Sequence, residues 1–172
     1  MVDPVMAQGI QDMLDELAPR ALLLVGDPRD LAPLIHADDR GVRLVTVAVD
    51  HCRRRLRRTL GRHDRARLVC AASSHLPFGR RCFDVVVALR LLARMADPAT
   101  ALTDWCRVLR PTGHLVLADR LSSSPTLRAL TRTRHGPEDL TCWLLNAGFA
   151  DIRQSWTHSH GVVITSGQLR EL

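Results

Sequence analysis

Apolar and polar positions alternate between two periods along the chain. Val5, Met6, Ile10, Met13, Leu14 and Leu17 recur at helical spacing and predict a helix over residues 5–17. Residues 21–25, ALLLV, form a continuous apolar run of the kind a buried parallel strand needs. A short helix is predicted over 28–35, and a valine-rich strand over 42–49. A helix over 51–60 turns Cys52, Leu56 and Leu60 inward, and a strand follows over 67–71. FDVVVAL, residues 83–89, is the strongest strand signal in the chain. Beyond it the pattern predicts a helix over 98–109 with Ala101, Leu102, Trp105, Val108 and Leu109 on its apolar side. A strand over 114–118 and a helix over 137–147 ended by Gly148 come next. Residues 152–156 and 162–166 read as a terminal hairpin around 159–161.

Strands and helices therefore alternate from residue 21 to about residue 147. Such alternation demands parallel strands joined by crossover helices, hence an α/β, doubly wound sheet. Ligands of these sheets bind beyond the carboxyl ends of the strands, near the point where the strand order reverses. The positions to inspect are 26–30, 50–52, 72–75 and 89–94.

The first of them, Gly26-Asp27-Pro28-Arg29-Asp30, holds one glycine. Glycines in such turns let a ligand approach the backbone closely, and Pro28 has no N–H to offer one. The same residues make a good helix start. Asp27 suits the N-cap, Pro28 the first helical position, and Asp30 adds a carboxylate to the positive helix end. A cap of this kind contributes about 1 kcal/mol. The turn is thus expected to answer its own amides. Asp50 follows the second strand, where it either caps the next helix or grips a ribose. Arg90 and Arg94 follow the strongest strand. Helical spacing of four would put both on one face, binding an anion or pairing with Asp27, Asp30 or Asp50.

Composition narrows the picture. The chain has 172 residues, enough for one domain with a real core; 46% are hydrophobic, 24% charged and only 3% aromatic, so that core is aliphatic. No apolar run approaches the roughly 20 residues of a membrane span, and the start MVDPVMAQGIQDML has no basic leader segment. A cytoplasmic protein is expected. The net charge is +6 and every basic residue other than histidine is arginine. That reads as codon bias, so arginine count alone says little. The arginine-rich segment 51–62 is read either as a solvated helix face or as a face for nucleic acid or an acidic protein. No aromatic residue interleaves its arginines, which makes nucleic acid the poorer fit. Cys52, Cys70, Cys82, Cys106 and Cys142 are widely spaced with no CxxC pair, so no metal site is expected and all five read as reduced, packed thiols. His158 and His160 share a strand face without a third ligand. His75 is either a loop residue or a general base near the cleft.

The middle of the chain resembles a known family. LPF at 76–78, FD at 83–84, DP at 97–98, the run Arg107-Val108-Leu109-Arg110-Pro111-Thr112-Gly113 and LLNAGFADI at 144–152 fall in the order found in class I S-adenosylmethionine-dependent methyltransferases. The similarity is greatest to those acting on small molecules and covers about residues 20–168. It implies a Rossmann-like seven-stranded sheet with an antiparallel last strand. It also implies one domain over 20–172 preceded by a helix in 1–19. The family's (D/E)xGxGxG turn aligns with Leu24, Gly26, Pro28 and Asp30, so one of three glycines is kept. The resemblance implies cofactor contacts at Gly26, Asp27, Asp50, Ser73 and the backbone near Leu89, with Arg90 and Arg94 as anion-binding candidates.

Three functions follow as expectations. The first is a methyltransferase-fold protein with a degenerate S-adenosylmethionine site, a non-catalytic accessory or regulatory subunit joined to a second copy or a catalytic homologue. The second is an active methyltransferase using S-adenosylmethionine on a small molecule. The third is a nucleic-acid or acidic-protein binding module built on the arginine segment.

Overall fold

The computed structural model describes residues 3–37, 43–48, 66–92, 95, 97–120, 136–157 and 161–170. Helix α1 spans Pro4–Leu17, followed by β1 Ala21–Gly26, α2 Pro28–Ala37, β2 Arg43–Ala48, β3 Ala66–Cys70 and β4 Phe83–Leu89. Then come α3 Pro98–Val108, β5 Leu109–Arg120, α4 Pro137–Asn146, β6 Phe149–Thr157 and β7 Val162–Leu169. The strands form one seven-stranded sheet ordered β3-β2-β1-β4-β5-β7-β6. β1 to β5 pair in parallel, and β7 runs antiparallel to both β5 and β6.

All six residues of β1 are buried. Its side chains alternate between two cores, as pleating requires. Ala21, Leu23 and Val25 join Trp105, Leu102, Leu140 and Leu144 beneath α3 and α4. Leu22 and Leu24 join Met6, Ile10, Leu14, Leu31 and Leu34 beneath α1 and α2. The sheet is thus covered on both faces, which explains why β1 and residues 85–89 of β4 read as apolar runs rather than alternating ones.

The helix starts follow the capping residues in the sequence. Asp3 accepts from Val5 N at 3.0 Å and Asp97 from Thr100 N at 3.2 Å, each followed by a proline at the first helical position. Gly148 has φ +90°, the left-handed conformation that ends α4. β5 starts five residues earlier than its apolar pattern, because Leu109 pairs with Phe83 across a register shift before the regular ladder begins at His114.

That early start explains the RVLRPTG run. Arg107 donates to Phe78 O, to Leu76 O at 2.9 Å and to Asp104 at 2.7 Å, while Asp104 accepts from Leu76 N. The pair fastens the LPF loop to α3. Thr112 has φ +62°, a conformation glycine takes at less cost. At Gly113 an added Cβ would lie 2.8 Å from Arg110 O, so glycine is required.

The cysteines depart in part from the expected packing role. Cys70 and Cys142 are exposed and free. β3 is an edge strand, and Cys142 lies opposite the buried Leu140–Leu144 side of α4. Cys106 is half-buried, and that burial pushes its thiol up to about 11, so it stays protonated at neutral pH. Cys52 lies outside the described residues. Among the described residues, no helix is long and apolar enough to cross a membrane.

Candidate functional site at the β1–β4 switch point

The chain reverses direction across the sheet between β1 and β4, because β2 and β3 lie to one side of β1 while β4 and β5 lie to the other. In an open α/β sheet the crevice outside the carboxyl ends at that point is the ligand position. Gly26, Asp27 and Asp30 stand there on the β1 side, Leu89 and Arg90 on the β4 side.

Gly26 is demanded by packing. A Cβ added to it would meet Leu89 O at 3.2 Å, Leu89 Cβ at 3.3 Å and Leu31 Cδ2 at 3.4 Å. β1, β4 and α2 therefore converge on this residue. Leu89 is fully buried, with its side chain in the core beneath α1 and α2.

Asp27 caps α2 as the sequence indicates. Its side chain accepts from Arg29 N at 2.8 Å, and its carbonyl accepts from Asp30 N at 2.9 Å and Leu31 N at 3.1 Å. The Arg29 guanidinium folds back onto the same carboxylate, at 2.9 Å and 3.1 Å, and its hydrogen bond holds the Asp27 carboxyl below its ordinary range despite partial burial. With Pro28 lacking an N–H, the first turn of α2 has its amides occupied.

Asp30 is 5% exposed and receives Arg90 Nη1 at 3.3 Å and 3.2 Å on its two oxygens. Of the partners open to Arg90 in the sequence, Asp30 is the one found among the described residues. Arg90 is not helical. Its φ is +53°, a conformation costing about 1–2 kcal/mol outside glycine, and its N–H donates to Ala118 O at 2.8 Å. Arg90 Nε is buried and has no hydrogen-bond partner among the described residues, a deficit of about 1–3 kcal/mol. The expectation of a shared helical face with Arg94 fails at Arg90, whose backbone turns sharply instead. Arg94 itself lies outside the described residues, as do Asp50, the segment 51–62, His158 and His160.

On the far side of β1, Ser73 is 6% exposed and its carbonyl accepts from Trp105 Nε1 at 2.8 Å. The core tryptophan of α3 thereby positions the segment after β3. His75 is exposed, 3.2 Å from Ser74 Oγ through Nδ1. It lines a cavity of about 580 Å³ together with Arg80, Arg81, Leu109 and Pro111. That cavity runs along α3, from Thr100 to Arg107, down to the amino ends of β4 and β5, and neither Gly26 nor Arg90 lines it.

Sequence reasoning missed Asp119. It is 3% exposed and stands at the carboxyl end of β5, one residue past the Leu89–Ala118 pair and so beside Arg90 in register. Its signal was present: an acid directly after the apolar run LVLA, the same arrangement that singled out Asp50 after β2.

This strand order, with an antiparallel β7 and a switch point between β1 and β4, is that of a class I methyltransferase sheet. The comparisons with known proteins agree. A methyltransferase domain family matches residues 30–117, from the first turn of α2 into β5. The chain belongs to that methyltransferase family, whose class I members depend on S-adenosylmethionine. It is 35% identical over 111 residues to the O-methyltransferase cnsE of Penicillium expansum, covering 56% of this chain and 40% of that protein. It is 29% identical over 112 residues to the "Probable S-adenosylmethionine-dependent methyltransferase Rv3030" of Mycobacterium tuberculosis strain H37Rv, covering 62% of this chain and 41% of that protein. The chain thus spans about 40% of the length of these curated relatives. Among solved structures, PigF with SAH superposes with a TM-score of 0.76 at 19% identity, covering 98% of this chain and 62% of that one, which shows the shared fold.

Proposed function

We propose that the chain is the cofactor-binding domain of an S-adenosylmethionine-dependent methyltransferase acting on a small molecule. The observation that carries this reading is the topological switch point, where Gly26 and Asp27 end β1 beside Leu89 and Arg90 at the end of β4, in a chain whose curated relatives are named as methyltransferases. The residues fit the cofactor at one telling place. Arg90 keeps a buried donor without an acceptor, at the edge where an amino-acid carboxylate would need one.

In this reading Gly26 and the Leu89 backbone form the floor, Asp50 takes the ribose hydroxyls, and the Ser73 segment lies beside the base. When bound, the cofactor supplies a methyl group on a positive sulfonium. Transfer then depends chiefly on aligning the acceptor with that group, a contribution that orientation alone makes large. The protein's part is to bind, align and keep water out. Asp119 offers a buried carboxylate at the same edge, suited to orienting an acceptor hydroxyl or amine.

One specific observation favours a second reading. The amides of α2 are spent on Asp27, and Arg90 is already paired with Asp30. A crevice closed in this way suits an accessory subunit that keeps the architecture without the cofactor. Isothermal calorimetry of the purified chain with S-adenosylmethionine and S-adenosylhomocysteine separates the two. The enzyme reading expects dissociation constants in the micromolar range for both. Absence of heat at millimolar ligand would leave the accessory reading in its place.

A further inference from the structure

Arg90 draws together four observations at the switch point. The first turn of α2, a common anion site in nucleotide-binding sheets, is spent: Pro28 has no N–H, and the amides of Arg29, Asp30 and Leu31 all donate to Asp27. Arg90 leaves β4 with φ +53°, its N–H fixed to Ala118 O. Its Nη1 bridges both oxygens of the buried Asp30 at 3.2 Å and 3.3 Å, which holds the guanidinium at the end of β1. Its Nε, on another edge of the group, has no acceptor among the described residues.

We infer that Arg90 is the carboxylate anchor of this site and the residue by which the chain distinguishes amino-acid-bearing adenosyl ligands from those without a carboxylate. The inference rests on the methyltransferase reading and deepens it. The chemistry is that of a guanidinium shared between two carboxylates. Nη1 serves Asp30, while Nε and Nη2 form the side-on edge that accepts a carboxylate through two parallel hydrogen bonds. Asp30 keeps the group oriented. The incoming carboxylate supplies the acceptor that Nε lacks, and because Nε is sealed from solvent its engagement entails a small swing of the Arg90 side chain. A lysine there would supply charge without the fork.

The test is calorimetry on the wild-type chain, Arg90→Gln and Arg90→Lys, with two ligands: S-adenosylmethionine and its decarboxylated form, which differ only in the carboxylate. The wild type is expected to bind S-adenosylmethionine at least tenfold more tightly. Arg90→Gln should bring the two affinities within about twofold by weakening S-adenosylmethionine alone. Arg90→Lys should fall between. Thermal melts of each variant report folding, and the wild-type ratio needs no variant. Equal wild-type affinities would overturn the inference, as would a tenfold preference that survives Arg90→Gln. If the wild type binds neither ligand, the methyltransferase reading fails and the inference with it. If it binds both without discrimination, only the inference fails.

Discussion

Replacing Trp105 by alanine is expected to lower the free energy of unfolding by about 3–5 kcal/mol, the range for emptying a large aromatic site in a packed core. Trp105 is fully buried in the core beneath α3 and α4, where Phe83, Val86 and Leu117 also lie. Its Nε1 also donates to Ser73 O at 2.8 Å, so the substitution leaves a buried carbonyl unanswered. The second consequence reaches the candidate site, since Ser73 belongs to the segment proposed to flank the base. Trp105→Phe separates the two effects. It keeps most of the volume and drops the hydrogen bond, at an expected cost of about 1–2 kcal/mol. Urea unfolding followed by tryptophan-independent circular dichroism measures both. A loss under about 1 kcal/mol for the alanine variant would contradict the packing described here.

The next largest effect is expected at Gly26. Its hypothetical Cβ already lies 3.2 Å from the Leu89 carbonyl and 3.4 Å from Leu31 Cδ2, one contact with the neighbouring strand and one with α2. Valine adds two more carbons where backbone, rather than a flexible side chain, must yield. Overpacking of this kind costs about 1–3 kcal/mol, and the upper end is expected here. Gly79→Ala is the matched control, because the nearest atom to its added Cβ is Cys82 Sγ at 3.5 Å, an ordinary contact. Chemical unfolding of both variants checks the contrast. Equal stability of the two would show that β1, β4 and α2 do not meet as closely as described.

Much of this fold was legible because both faces of the sheet are covered. β1 and residues 85–89 of β4 appear in the sequence as apolar runs, and the helix ends at Asp27 and Gly148 are local chemistry that sequence displays directly. The ends of β5 and the hairpin were set too short, because Leu109 and Phe149 enter the sheet by pairing with distant partners, Phe83 and Leu169, that no local pattern reveals. The site was legible in position and only partly in chemistry. The self-capped turn followed from Asp27-Pro28 alone. The Arg90–Asp30 pair spans sixty positions of sequence and depends on a left-handed residue after β4, so it stood as one of several pairings until the backbone fixed it. The place of Asp119 at the site was not legible, because only the parallel pairing of β5 with β4 carries the end of β5 to the same edge.

The measurement that bears most directly on the account is where S-adenosylhomocysteine binds. In a titration of isotope-labelled protein followed by amide chemical shifts, the largest changes are expected at Gly26, Asp27, Ser73, Leu89 and Arg90. Shifts concentrated instead around Arg80, Arg81 and Arg107, in the cavity along α3, would contradict it.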